Sequence, residues 1–254
     1  CNSGKSYKEC CKSRCDELGK PSNKPLEIQV MERFRKSQIR CCLHPETSKC
    51  VNRIKEAHAL QNNKIISQLS RDGHVYILNP QKAPLIIPVD NEEPEVLTMI
   101  DKVGVNHATT ATCFCDIHDD EVFASIEKGA PAFSKTSDEH KYIYAYKAFI
   151  FEYYKKLVEQ KGFVLNIKEK PSLLKSPDFV HYYRAINSTL LEMNSIRAFF
   201  NSGIMSNDFG GLDTCIIELP ERINFANYAC IALDFDVNGR KISVELFYKY
   251  FCEG

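Results

Sequence analysis

The sequence predicts an α+β protein, and three observations carry that expectation. Two stretches, residues 138–162 and 177–203, repeat apolar residues at helical spacing. Residues 206–254 read instead as an antiparallel β region, with Asn238-Gly239 between two strand-like runs as a type I′ hairpin signal. Ahead of both, cysteines and histidines come in tight groups that suit metal ligation, so a zinc-stabilised centre is expected there.

The composition is that of an ordinary globular protein: 44% of the 254 residues are hydrophobic, 26% are charged and none is Trp. No apolar stretch approaches the roughly 20 residues of a membrane span, and no signal segment opens the chain. The expectation is a cytoplasmic protein with no membrane partner. Net charge is zero, yet residues 1–60 hold 13 Lys+Arg against 7 Asp+Glu, a balance of +6 that residues 61–254 offset. That basic part suits a phosphate-facing surface, and equally a solvated face with no partner. The chain opens on Cys1 rather than Met and its last strand reaches almost to Gly254, so extension at both ends is expected.

Twelve cysteines force a choice between disulfides and metal. Adjacent pairs with basic or His neighbours, Cys10-Cys11 and Cys41-Cys42, favour thiolates converging on a cation over a secreted disulfide frame. At the N-terminus Cys1, Cys10 and Cys11 have the spacing C-x8-C-C, with Ser3-Gly4-Lys5 turning the chain between them. The string "CNSGKSYKECC" resembles the SEC-C zinc motif, matching it at Gly4, Lys5, Tyr7 and Lys8. That resemblance implies a small zinc module over residues 1–18, with Cys1, Cys10 and Cys11 as ligands and Cys15 or a residue outside the numbering as the fourth. So small a unit depends on its ion for folding, and a sulfur-only site leaves no open position for chemistry. It is therefore read as an accessory that docks on a protein or ribosomal partner. The linker "GKPSNKP", residues 19–25, separates it from a main domain at 26–254.

Within the main domain, residues 26–39 read as a helix. Cys42 and Cys50 then bracket a loop containing Pro45, a zinc knuckle with a long loop. The run "VNRIKEAHAL" that follows fits strand and helix equally. Far along the chain, "FCDIHDD" places Cys115 and His118 three apart ahead of "EVFASIEKG", which reads as a helix closed by Gly129. Residues three apart share a helix face, so Cys115 and His118 can aim at one ion. Cys42, Cys50, Cys115 and His118 together make a Cys3His tetrahedron on the plan of a treble-clef finger, with His44 as an alternative to Cys42. Cys41 and Cys113 read as packing thiols.

"EAH" after a Cys-bearing knuckle, then "FCDIHDDEVF", resembles the HNH endonucleases and their ββα-metal centre. The resemblance implies His58 as the general base that activates water and Asp119 at the catalytic metal position. A carboxylate there suits Mg²⁺ or Mn²⁺. Asn106 is the nearest counterpart of the family's middle Asn, and "HVYIL", "PLIIPV" and "PEVLTMI" make a β insertion within residues 26–130. Taken from the residues alone, His58 fits a core histidine or a zinc ligand as well as a base. Asp120 and Glu121 fit a helix start on any surface.

Residues 131–205 form the expected helical pair. Ile143, Tyr146, Ile150, Tyr153 and Leu157 share a face that reads as core, and Gly162 is expected to end the first helix. Glu152, set among aromatics, is a secondary acid or metal candidate. The resemblance to the HNH endonucleases thus implies a metal-dependent nucleic-acid hydrolase with structural Zn²⁺, in a bacterial defence or mobile-element setting. The alternative is a non-catalytic zinc-binding adaptor.

Overall fold

The computed structural model describes residues 6, 32–33, 35–51, 53–78, 85–87, 95–97, 100–129, 133–221, 223–235 and 241–249. These contain long helices and small antiparallel sheets, the mixture expected of an α+β protein. They fall into two compact units, drawn from residues 1–39, 78–100 and 155–194 and from residues 40–77, 101–154 and 195–254. No described helix is long and apolar enough to cross a membrane.

Strands β1 (Ile54–His58), β2 (His74–Leu78), β3 (Leu85–Ile87), β4 (Glu95–Leu97), β5 (Ile100–Gly104) and β6 (Thr110–Cys115) precede the two long helices, and β7 (Tyr228–Phe235) and β8 (Lys241–Lys249) follow them. They pair in twos: β1 with β6, β2 with β5, β3 with β4 and β7 with β8. Within "VNRIKEAHAL", Ile54–His58 form a strand: Ile54 faces Cys115 and His58 faces Thr110 across an antiparallel ladder. Helices α1 (Asp116–Val122) and α2 (Ala124–Glu127) follow β6 directly.

In the second unit the core is aromatic. Phe114 from β6 meets Phe123 edge-on, ring centroids 5.2 Å apart, and Phe123 stacks on Tyr146 at 6.2 Å. Tyr146 lies in helix α3 (Asp138–Glu169), and Phe200 in helix α4 (Pro177–Ser206) lies 5.6 Å from it. Burying one such ring contributes about 1.5–3 kcal/mol. The Tyr142 hydroxyl adds a link by donating toward the Phe199 and Phe200 carbonyls, both at 3.1 Å. Tyr146 is different: its hydroxyl is buried without a hydrogen-bond partner among the described atoms. An orphaned buried hydroxyl carries a desolvation cost, so Tyr146→Phe is expected to raise stability by about 1 kcal/mol, read as a higher denaturant midpoint at unchanged slope.

Two expectations are corrected. Helix α3 does not stop at Gly162 but runs on to Glu169, where Pro171 follows. A mid-helix glycine costs only about 1 kcal/mol, and the turn beyond it is held by Phe163, whose ring lies 5.0 Å from Phe179 and 6.0 Å from Tyr183. Within the β region expected over residues 206–254, the strand-like run "TCIIELPE", residues 214–221, forms no strand and leaves Ile217 exposed. Its β propensity finds no neighbouring strand among the described residues to complete a ladder. Of the helix expected at 26–39, residues 32–33 and 35–37 are helical and the rest lies outside the described residues or beyond its end. The Asn238-Gly239 turn also lies outside them, although the strands on either side pair as its hairpin requires.

Candidate metal centre

The chain approaches the centre along β6. Cys41 N–H donates to the Thr112 carbonyl at 3.2 Å and Leu43 N–H to the Cys113 carbonyl at 2.9 Å, which clips the start of the knuckle to β6. Thr47–Lys49 make one 3-10 turn, and Cys50 returns beside its own carbonyl partner Thr47. At the other end of β6, Cys115 is the N-cap residue of α1 and His118 lies in its first turn. A knuckle, the end of a strand and the start of a helix therefore meet at one place.

There the ligand atoms of Cys42, Cys50, Cys115 and His118 all lie within 4.8 Å of one another. His118 Nδ1 is 3.3 Å from Cys42 Sγ, 3.5 Å from Cys50 Sγ and 3.3 Å from Cys115 Sγ. Zinc bonds of about 2.3 Å to sulfur and about 2.0–2.1 Å to nitrogen put tetrahedral S and N ligands about 3.5 Å apart. The observed edges match that figure, so the group is compatible with a structural zinc ion bound through His118 Nδ1.

The sulfur environments differ. Burial raises the Cys42 thiol to about 12 even though the Cys115 and His44 backbone N–H groups point at its sulfur. Burial also raises Cys115, but N–H groups of His118 and Val51, with the Cys42 and Cys50 thiols, outweigh it and leave this thiol below its ordinary value. Backbone donors aimed at sulfur stabilise thiolate, and a bound dication removes the remaining protons.

His44 is not a fourth ligand in place of Cys42. Its buried ring stacks on His118 with centroids 3.9 Å apart and an interplanar angle of 16°, while its Nδ1 accepts from Glu46 N–H at 3.2 Å. Burial, then the neighbouring His118, lowers its pKa to about 4. A neutral ring is thus laid against the imidazole of the group and fixes its plane. Cys41 and Cys113 stay outside the group, and burial pushes both thiols up. The expected ligands Cys1, Cys10 and Cys11 lie outside the described residues.

Beside this group is a cleft of 270 Å³ whose lining includes Lys55, His58, Gln61, Asp119 and Glu127. His58 and Asp119, distant in sequence, thus share one cavity. Lys55 and His58 are three apart on β1 and would point to opposite faces of a regular strand. The register shift between Lys55 and Ala57 breaks that alternation, and both residues line the cleft.

The His58 ring Nδ1 lies 3.0 Å from the Ala108 carbonyl oxygen. A carbonyl can only accept, so Nδ1 carries the proton and Nε2 of the neutral ring carries the lone pair. Burial lowers the His58 pKa below its ordinary value; the Ala108 bond, Glu127 and Asp119 pull the other way and Lys147 acts with burial. The ring is therefore neutral, and basic at Nε2, at pH 7.

Asp119 is nearly buried and its Oδ2 lies 2.9 Å from Lys55 Nζ, while Oδ1 has no hydrogen-bond partner among the described atoms. Asp120 does not cap the helix: it pairs with Lys55 at 2.9 Å and Lys128 at 3.6 Å. Asn106 bonds Asn62 at 3.0 Å on the surface and does not line the cleft, nor does Glu152. Sequence reasoning missed Lys55, Glu127 and Lys147. The fully buried Lys147 ammonium pairs with Glu127 and lies 4.5 Å from the centre of the Phe123 ring. A lysine next to Tyr146 on the core face of α3 was the available signal.

Comparison of the chain with known protein families, with curated proteins and with solved structures finds no match.

Proposed function

We propose that the chain is a metal-dependent nucleic-acid hydrolase in which a zinc ion on Cys42, Cys50, Cys115 and His118 holds a ββα unit of treble-clef type. Strands β1 and β6 and helix α1 are its three parts. The observation that carries this reading is that His58, in the tautomer with a free Nε2, lines one cleft with the buried carboxylate of Asp119.

In this reading His58 Nε2 takes a proton from water as the water oxygen attacks the phosphorus of a phosphodiester; the bond from phosphorus to one ester oxygen breaks, and that leaving oxygen takes a proton from solvent. The Ala108 carbonyl holds the ring in the required tautomer and stabilises it once it is charged. Asp119 would hold Mg²⁺ or Mn²⁺ through its hard carboxylate, and such an ion would supply positive charge where the phosphate becomes more negative. A zinc ion held by Cys42, Cys50, Cys115 and His118 would have no open position for the reaction and would serve the fold alone.

The test uses protein treated with EDTA under conditions that retain tightly held zinc, then supplied with Mg²⁺ or Mn²⁺ and presented with plasmid DNA and with RNA. Metal-dependent cleavage of either polymer is the expected result. No cleavage with any metal, while zinc stays bound, would leave a zinc-binding interaction protein that docks through residues 1–11.

A further inference from the structure

Lys55 already occupies the place where a cation would bind Asp119. Its ammonium lies 2.9 Å from Asp119 Oδ2 and 2.9 Å from Asp120 Oδ1, bridging consecutive carboxylates of α1. The two partners differ in kind. The Asp119 side chain is 5% exposed and its second oxygen is buried with no hydrogen-bond partner among the described atoms, whereas Asp120 is 53% exposed and is also reached by Lys128.

A singly charged ammonium that satisfies one oxygen of a buried carboxylate leaves that site short of positive charge and of donors. A divalent ion would supply both. It cannot share Asp119 Oδ2 with the ammonium, because two cations on one oxygen of a site this dry repel strongly. Lys55 has somewhere to go: it is 40% exposed and Asp120 remains bonded to it at the solvent edge.

We propose that Lys55 is a displaceable internal cation: its ammonium holds the Asp119 carboxylate until a divalent metal ion takes that position, and Asp120 then retains the released ammonium at the mouth of the cleft. The inference rests on the reading of Asp119 as a metal-binding carboxylate. It adds that occupancy of the metal position is set by competition within the chain, with the ammonium left beside whatever anion the metal binds.

The test is Mn²⁺ binding to the zinc-loaded full chain, measured from the electron paramagnetic resonance signal of free Mn²⁺, with no cleavage assay involved. Lys55→Met is expected to bind Mn²⁺ about tenfold more tightly than wild type, within the range usual for coupled neighbours. The gain is expected to vanish when Asp119→Asn is added. Equal or weaker binding by Lys55→Met overturns the proposal, as does a gain that survives Asp119→Asn. Zinc content and Tm show whether Lys55→Met is folded. Should it not be, the Lys55 ammonium resonance of ¹⁵N-lysine-labelled wild type decides: it should shift and lose protection from exchange on saturation with Mg²⁺, and an unmoved signal overturns the proposal. A chain that binds Mn²⁺ as expected yet cuts neither DNA nor RNA would sink the hydrolase reading and leave this one standing. Cleavage with an affinity that Lys55→Met does not move would do the reverse.

Discussion

Cys115→Ser is expected to lower Tm by about 10 °C and to release the zinc of the Cys42 group. Cys115 is fully buried at the junction of β6 and α1, and its sulfur is one of three within 3.5 Å of His118 Nδ1. A hydroxyl is a poor ligand for zinc beside two thiolates, and apparent binding energies of structural zinc reach about 10–16 kcal/mol. Loss of even about 4 kcal/mol of that linkage gives the stated shift for a chain of this size, at about 2–4 °C per kcal/mol. Three things then come apart together: the knuckle from β6, the start of α1, and the placement of Asp119 in the cleft with His58. Calorimetry with zinc analysis on the same sample checks this, and a bound zinc with unchanged Tm would exclude Cys115 as a ligand.

The second large effect is kinetic. His58→Ala is expected to cut the cleavage rate by about 10²–10⁴-fold, the usual contribution of a positioned general base, and to leave zinc content unchanged because His58 is not among the four ligands. The pH profile carries a further constraint. A general base works only when unprotonated, so the rate is full above the His58 pKa and falls as pH drops through it. Burial sets that pKa below the ordinary histidine value; among the charged groups acting on the ring, Lys147 lowers it further and Glu127 and Asp119 raise it. The acid limb of wild type is therefore expected below about pH 6.5, with no change in rate across neutral pH. A limb centred above pH 7 would contradict the assignment.

How much of this was legible in the sequence depends on the range of the interaction involved. The Cys42, Cys50, Cys115 and His118 set was readable because ligand chemistry restricts residue type, and because a Cys and a His three apart at a helix start already share a direction. The strand pairs around Asn238-Gly239 and the two long helices were readable from local pattern. The end of α3 was not, since Gly162 signals a stop locally and ring contacts from Phe163 override it. Nor was the failure of residues 214–221 to form a strand, because a strand needs a partner and its own sequence does not name one. In the candidate site, the lysines were the blind spot. Lys55 and Lys147 read as ordinary cations in sequence, and only the bulge in β1 and the burial of α3 bring them to Asp119 and Glu127. His58 and Asp119 were named on resemblance, and their shared cleft is a property of the folded chain.

That a zinc ion on Cys42, Cys50, Cys115 and His118 organises this cleft is tested most directly by zinc K-edge X-ray absorption on the full chain carrying Cys1→Ser, Cys10→Ser and Cys11→Ser, which removes the other expected ligands. The expected spectrum fits three sulfur neighbours at about 2.3 Å and one nitrogen at about 2.0–2.1 Å. A variant that retains no zinc, or a shell dominated by oxygen and nitrogen, would contradict it.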